Sequence, residues 1–303
     1  MAVLNPPRSL PGLGRSIVNF LCTARGEWSE DKLLELFKPE GLNDAPSSSD
    51  GVRNTVSAFR AIGVLRSESG SLSVSESVSA LGTKFSVSQF RRVMQVHVFN
   101  LDRDGNPWRT EPGEAHTSGA KDLMRPLSWM LAQDALRPLS WTDNIQTMQR
   151  DQFESTNNDE WAISNDTRAT SSSRWALALG LVSPSMGKGS GIVPLPVVAI
   201  DDVIDELPTE RIPISDFLAG LGAKLPVLHG GVVRKWLVEH IGGDPDPGIA
   251  SDCADSSVGQ ALRILDERGR LKFEALPDAP GLRLSRSEDY RQTHVTVLRK
   301  AKR

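Results

Sequence analysis

His294-Val295-Thr296-Val297 has the form of one half of a two-histidine phosphoesterase signature, and His116-Thr117-Ser118 is a candidate for the other half. That chemistry needs both histidines on neighbouring strands, one acting as base and the other as acid. His116 lies in a stretch rich in Gly, Pro and Thr, which argues against a strand. SPSMGKGSG looks superficially like a phosphate loop. The loop pattern, however, needs a glycine where this chain has Val182, and Gly189 stands where a hydroxyl should hold magnesium. Asp102, Asp104 and Asn106 have the alternation of a calcium loop. There the glycine falls two places early, at Gly105, and no glutamate closes the set. Cys22 and Cys253 lie far apart and suit neither a zinc site nor a disulfide framework. His97, His229 and His240 have no companions at metal-ligand spacing, and nothing marks a nucleophile. No cofactor, no metal and no catalysis are expected, with a phosphoesterase as the distant alternative.

The elements that surround these residues read differently. The chain of 303 residues is 39% hydrophobic and 24% charged, in the range of folded globular proteins. Its net charge of −3 imposes no nucleic-acid reading in bulk. The opening MAVLNPPRSLPGLG has one basic residue and no apolar core, unlike a signal peptide. No apolar run approaches the roughly 18 residues of a membrane span. A cytoplasmic protein without a membrane partner is expected.

One local pattern occurs three times. In SSSDGVRNTVSAFRAIGVLRSESGSLSV, Ser49 and Asp50 are good N-caps, and Val52, Val56, Phe59 and Ile62 form one apolar helical face. Gly63 stops the helix, because left-handed backbone costs least without a Cβ. Val64-Leu65 then starts a strand, and Leu72-Ser73-Val74 returns. Two amphipathic helices, 15–23 and 29–37, precede it. Three helices followed by a two-stranded wing is the order of a winged helix-turn-helix.

The C-terminal region repeats this order. Val258, Leu262 and Leu265 form the helical face, Gly269 the stop, 271–273 a strand, 277–281 a turn and 282–284 the return. Helices 215–225 and 232–241 precede it. A looser version in the middle has serine caps, a helix through Trp175 and Leu179, the stop Gly180, and strands at 181–182 and 192–193. Helices 121–135 and 141–153 would lead into it. Between the first and second versions, 84–99 reads as a helix and 101–119 as a loop. Acidic 201–210 and 242–255 read as connectors or solvated faces.

The five residues RPLSW run from Arg125 to Trp129 and recur from Arg137 to Trp141. An offset of twelve residues is shorter than helical repeats of about 34–47 residues, and no third copy follows. The echo reads as two helix starts. Pro126 and Pro138 sit near a first turn, Ser140 and Asp143 make a capping box, and Trp129 and Trp141 face the core.

The fold expected is therefore mainly α with small β-hairpins, in tandem winged helix-turn-helix units. The boundaries are 1–82, a connecting helix and loop at 83–120, a middle unit at 121–199, and a C-terminal unit at 200–303. In such units the third helix enters the major groove and the wing touches backbone. The candidate DNA contacts of the first unit are Arg53, Asn54, Ser57, Arg60 and Arg66. The middle unit offers Arg168, Ser171, Arg174 and Lys188. The C-terminal unit offers Ser256, Gln260, Arg263, Lys272, Arg283 and Arg286. These side chains suit phosphates and base edges. From Arg268 onward ten Lys/Arg face four Asp/Glu, a net of +6. That makes the C-terminal unit the strongest electrostatic footprint. Against it, the first wing, SESG, carries no cation, and Asp266 and Glu267 lie on the third unit's recognition helix.

LNPPRSLPGLGRSIV, DLMRPLSWMLAQDALRPLSW and NDTRATSSSRWALALGLV together resemble the DpdG proteins. These are encoded in bacterial clusters that insert 7-deazapurine bases into DNA and restrict DNA lacking them. The resemblance implies an accessory component of the restriction side of a phage-defence cluster, with helicase and nuclease activity supplied by other subunits. It carries over no catalytic residue. The expected function is a non-catalytic DNA-binding or assembly subunit whose partners are duplex DNA and the other subunits. The alternative is a protein–protein scaffold built from the same units without DNA contact.

Overall fold

The computed structural model describes residues 1–24, 26–37, 50–109, 118–140, 145–153, 161–186, 191–243 and 252–299. Along the chain the first helices are α1 (Pro11–Thr23), α2 (Glu30–Leu36) and α3 (Asp50–Ala61), leading into strands β1 (Leu65–Glu68) and β2 (Ser71–Val74). Helices α4 (Glu76–Ser79), α5 (Val87–Val98), α6 (Leu101–Asp104) and α7 (Lys121–Leu131) follow. Next come β3 (Leu139–Ser140), α8 (Ile145–Gln152), α9 (Asp166–Ala178), β4 (Val182–Pro184) and β5 (Gly191–Pro194). The C-terminal part holds α10 (Val197–Val203), a 3-10 turn (Ile204–Glu206), β6 (Ile212–Pro213), α11 (Ile214–Lys224), α12 (Val232–Ile241), α13 (Ser256–Glu267), β7 (Leu271–Glu274) and β8 (His294–Val297). The fold is mainly helical with small antiparallel strand pairs. None of the described helices is long and apolar enough to cross a membrane.

Two compact units divide the chain, one from 1–124 with 167–179 and the other from 125–166 with 180–303. In the first, Val52, Val56, Phe59 and Ile62 are buried on one face of α3, as their spacing predicts. Phe59 stacks on Phe90 of α5 and lies 5.8 Å from the ring of Trp175 on α9. The Trp175 indole N–H donates to the Ser9 hydroxyl at 2.9 Å. The Asp122 carboxylate accepts the Val3 and Leu4 N–H groups at 3.2 and 2.7 Å, so the N-terminal segment is held without a strand. Helix α5 starts at Ser86 through a capping box with Gln89.

Gly63, Gly180 and Gly269 each follow a helix in left-handed backbone, with φ of 73°, 73° and 65°, and each leads into an antiparallel pair. At Gly63 the N–H bonds to Arg60 and the next N–H, of Val64, reaches back to Phe59 at 2.9 Å. At Gly269 the same bonds run to Asp266 and, from Arg270, to Leu265 at 2.8 Å. Both are the six-to-one closure that satisfies the last helical carbonyls. A Cβ at Gly269 would meet nothing, so the penalty for filling it is purely conformational. Gly269→Ala is expected to cost about 1–2 kcal/mol in a urea melt. An unchanged midpoint would show that the left-handed turn is not required.

One strand order recurs. The three-stranded sheets run β3-β5-β4 and β6-β8-β7, with the last strand in sequence at the centre. Near the N-terminus a single bridge from Ser29 to Ser71 places the chain before α2 beside β2, whose other edge holds β1. A short strand before the helices, reduced to a single bridge near the N-terminus, is thus received by the second arm of a hairpin three times.

Four expectations are corrected. The RPLSW copies are not two helix starts: Pro126 lies inside α7, and the second copy is strand β3, where Leu139 pairs with Ile192. Trp129 is fully buried, while Trp141 lies outside the described residues. The third hairpin returns through 294–297 and not 282–284, because Leu271 pairs with Val297. Leu282 and Arg283 make only isolated bridges, to Gln292 and Cys253. The stretch 101–119, expected as loop throughout, opens with α6, and Asp104 there accepts the Ala120 N–H at 3.0 Å and pairs with Arg103. Acidic 201–210 is in part a packed helix, since Val203 and Ile204 are buried and Asp201 and Asp205 hold Arg270 at 2.7 and 2.8 Å.

Candidate nucleic-acid interface

In the first unit the outward face of α3 carries Arg53, which is exposed and has no ion pair among the described residues. Asn54 and Ser57 are half-buried beside it. Arg60 is turned back to Glu30 of α2 at 3.5 Å. Arg66, on β1, is exposed and lies 3.8 Å from the still more solvated Glu76, a pair of small energetic weight.

On α9, Arg174 is exposed and has no ion pair among the described residues, and Arg168 is half-buried. Ser171 is buried and donates to the Pro7 carbonyl, which makes it a packing residue. Lys188, with the rest of the glycine-rich turn, lies outside the described residues.

The C-terminal candidates split into two groups. Lys272 is exposed on β7, opposite Thr296, and Arg286 is exposed on the loop between β7 and β8. By contrast, Arg263 is bonded to the buried carboxylate of Glu288, whose other oxygen accepts the Leu284 N–H at 2.9 Å. Asp252 grips Arg283 at 2.9 Å and Arg291 at 2.6 Å. These two guanidiniums hold the Asp252 carboxyl below its ordinary value, and the Asp252 carboxylate in turn raises Arg283. Ser256 donates to Asp134 at 3.0 Å and accepts the Ala135 N–H. Gln260 is half-buried and lines a small cleft of about 80 Å³ with Arg286 and Cys253. The positive count of the C-terminal stretch is thus partly cancelled by Asp252, which holds Arg283 and Arg291. Asp252 stands 31 residues before its partner Arg283, a separation that no local pattern reveals.

His294 sits on β8 with its ring 3.1 Å from the Thr293 hydroxyl, and His116 lies outside the described residues. His97 bonds the Ile62 carbonyl at 2.9 Å and the Ser77 hydroxyl at 2.7 Å, joining α5 to the end of α3. Burial lowers its pKa, the Ile62 bond opposing and the nearby arginines adding to the shift. Burial raises both Cys22 and Cys253 thiols. Among the described residues no three His, Cys, Asp or Glu side chains group as metal ligands.

The site residues therefore offer a distributed set of solvated cations on helix and hairpin surfaces. No curated protein matches the chain, and no solved structure does. Residues 1–279 match the DpdG-like family, and with that coverage, embracing the LNPPRSLPGLG opening, both RPLSW copies and the SSSRWALALG helix, the chain belongs to it.

Proposed function

We propose that this protein is a non-catalytic DNA-binding subunit of a 7-deazapurine-dependent restriction system in a phage-defence cluster, working with other subunits of that cluster. Family membership supplies the 7-deazapurine context. The observation that carries the DNA reading is the threefold recurrence of helices followed by a hairpin with its second arm central. That is the order expected of winged helix-turn-helix units, in which the last helix reads the groove and the hairpin meets phosphate. Arg53 and Arg174 on such helices, with Lys272 and Arg286 at the C-terminal hairpin, are the solvated cations that would serve.

Titration of the protein with plain and 7-deazapurine duplexes tests this reading. Lys272→Glu with Arg286→Glu is expected to weaken binding to all sequences alike, as loss of phosphate contacts does. Gln260→Ala is expected to shift preference among sequences instead. Asp252→Asn frees Arg283 and Arg291 and is expected to tighten binding at low salt. Looser or unchanged binding of that variant would exclude this face.

A scaffold that binds only protein partners is the second reading, favoured by the engagement of Arg263, Arg283 and Arg291 with carboxylates of the same unit. Complex formation with neighbouring subunits in the absence of DNA, with no duplex binding by the complex, would establish it.

A further inference from the structure

Beside α1 and α5 the first unit carries an open groove of about 620 Å³, lined among others by Arg15, Asn19, Lys84 and Phe85. A narrower cleft of about 200 Å³ continues it over Phe90, Met94, Trp175 and Leu179. Gly12 and Arg15 line both. Among the described lining residues every charged one, Arg15, Lys84 and Arg91, is cationic. Arg15 and Lys84 have no ion pair among the described residues, unlike Arg263, Arg283 and Arg291. At the mouth, half-exposed Phe85 lies on Phe90 with centroids 5.6 Å apart and planes 19° from parallel.

Arg15 and Lys84, with no ion pair among the described residues, call for an anion, and a flat ring beside an apolar cleft calls for a second flat ring. A phosphate joined to an unpaired base meets both demands. A base inside a duplex offers its faces to its neighbours and not to a protein ring, whereas a single strand leaves them free. We propose that this groove binds nucleotides of single-stranded DNA, with Arg15 and Lys84 on phosphate and Phe85 stacked on a base. It uses residues distinct from the helix and hairpin faces above and does not depend on them.

The test is fluorescence anisotropy of the full chain with a short labelled single strand at low salt. Arg15→Glu with Lys84→Glu is expected to weaken binding at least about tenfold, and Phe85→Ala about tenfold. Gly12→Phe places a ring where a Cβ meets nothing within 4 Å, so it fills the groove without disturbing the fold. Its melt should be unchanged and its strand binding lost. Lys272→Glu with Arg286→Glu should bind the strand as wild type does. Competition by dAMP, weaker than by the unlabelled strand, supports a nucleotide site that reads a chain. Equal competition would overturn the strand in favour of a free nucleotide, and equal competition by polyglutamate would overturn it in favour of an acidic protein. Strand binding that survives charge reversal at Arg15 and Lys84 overturns the proposal outright. Duplex binding without strand binding does the same while leaving the helix and hairpin reading standing.

Discussion

Asp255→Ala is expected to destabilise the second unit by about 3–5 kcal/mol, because it takes from the buried Arg234 guanidinium the carboxylate that holds it. Both side chains are almost inaccessible, at 3% and 6% exposure. Asp255 receives Arg234 through two bonds of 2.9 and 3.2 Å, and His229 lies 3.2 Å from the same carboxylate. Burial by itself raises the Asp255 pKa, but the His229 bond and the Arg234 charge outweigh it and leave the group below its ordinary value. A carboxyl depressed by folding stabilises above its unfolded pKa of about 3.9 and loses that contribution as pH falls through the folded value. Wild type should therefore lose stability below about pH 4 more steeply than Asp255→Asn. Replacing Asp255 and Arg234 together by apolar residues should recover much of the loss, since the stranded charge is then gone. A urea midpoint for Asp255→Ala equal to wild type would show that solvent reaches Arg234.

Trp129→Ala should cost a similar amount, about 3–5 kcal/mol, for a different reason. The indole is fully buried in α7, and its N–H donates to Gln152 of α8 at 2.7 Å. Gln152 in turn donates to Gln133 at 3.0 Å, and Gln133 donates to the Trp129 carbonyl at 2.9 Å. Truncation opens a cavity and removes the indole donor to the Gln152 side-chain oxygen. Trp129→Phe keeps most of the volume and loses the donor, so its cost should fall to about 1–3 kcal/mol. Equal melts for the two variants would mean that packing, and not the Gln network, sets the loss.

The elements legible in the sequence are those decided locally. The face Val52, Val56, Phe59 and Ile62 followed by Gly63 is a helix and its stop whatever surrounds it, and so are Val258, Leu262, Leu265 and Gly269. Identical RPLSW pentapeptides give the contrary lesson. One lies inside a helix with Pro126 tolerated, and the other becomes a strand because β5 offers it a partner. Neither outcome is encoded in five residues, since tertiary context overrides propensity. The third hairpin failed similarly: 282–284 and 294–297 both alternate, and only pairing across the sheet chooses the second. At the candidate interface, helical spacing correctly turned Arg53 and Arg174 outward. Spacing placed Ser171 outward as well, although it is buried, because a short serine gives no hydrophobic signal against packing. The neutralisation of Arg263 and Arg283 depends on distant carboxylates and left no trace in the local pattern.

The account turns on whether the protein binds duplex DNA through these cations. The most direct measurement is the affinity for a 7-deazapurine-free duplex across a salt series. With Lys272 and Arg286 on phosphates, the logarithm of affinity should fall against the logarithm of salt with a slope of about −2 or steeper. Asp252→Asn should steepen that slope by about two further units as Arg283 and Arg291 join. A protein that shows no duplex binding at the lowest salt, alone or with its neighbouring subunits, would contradict the account.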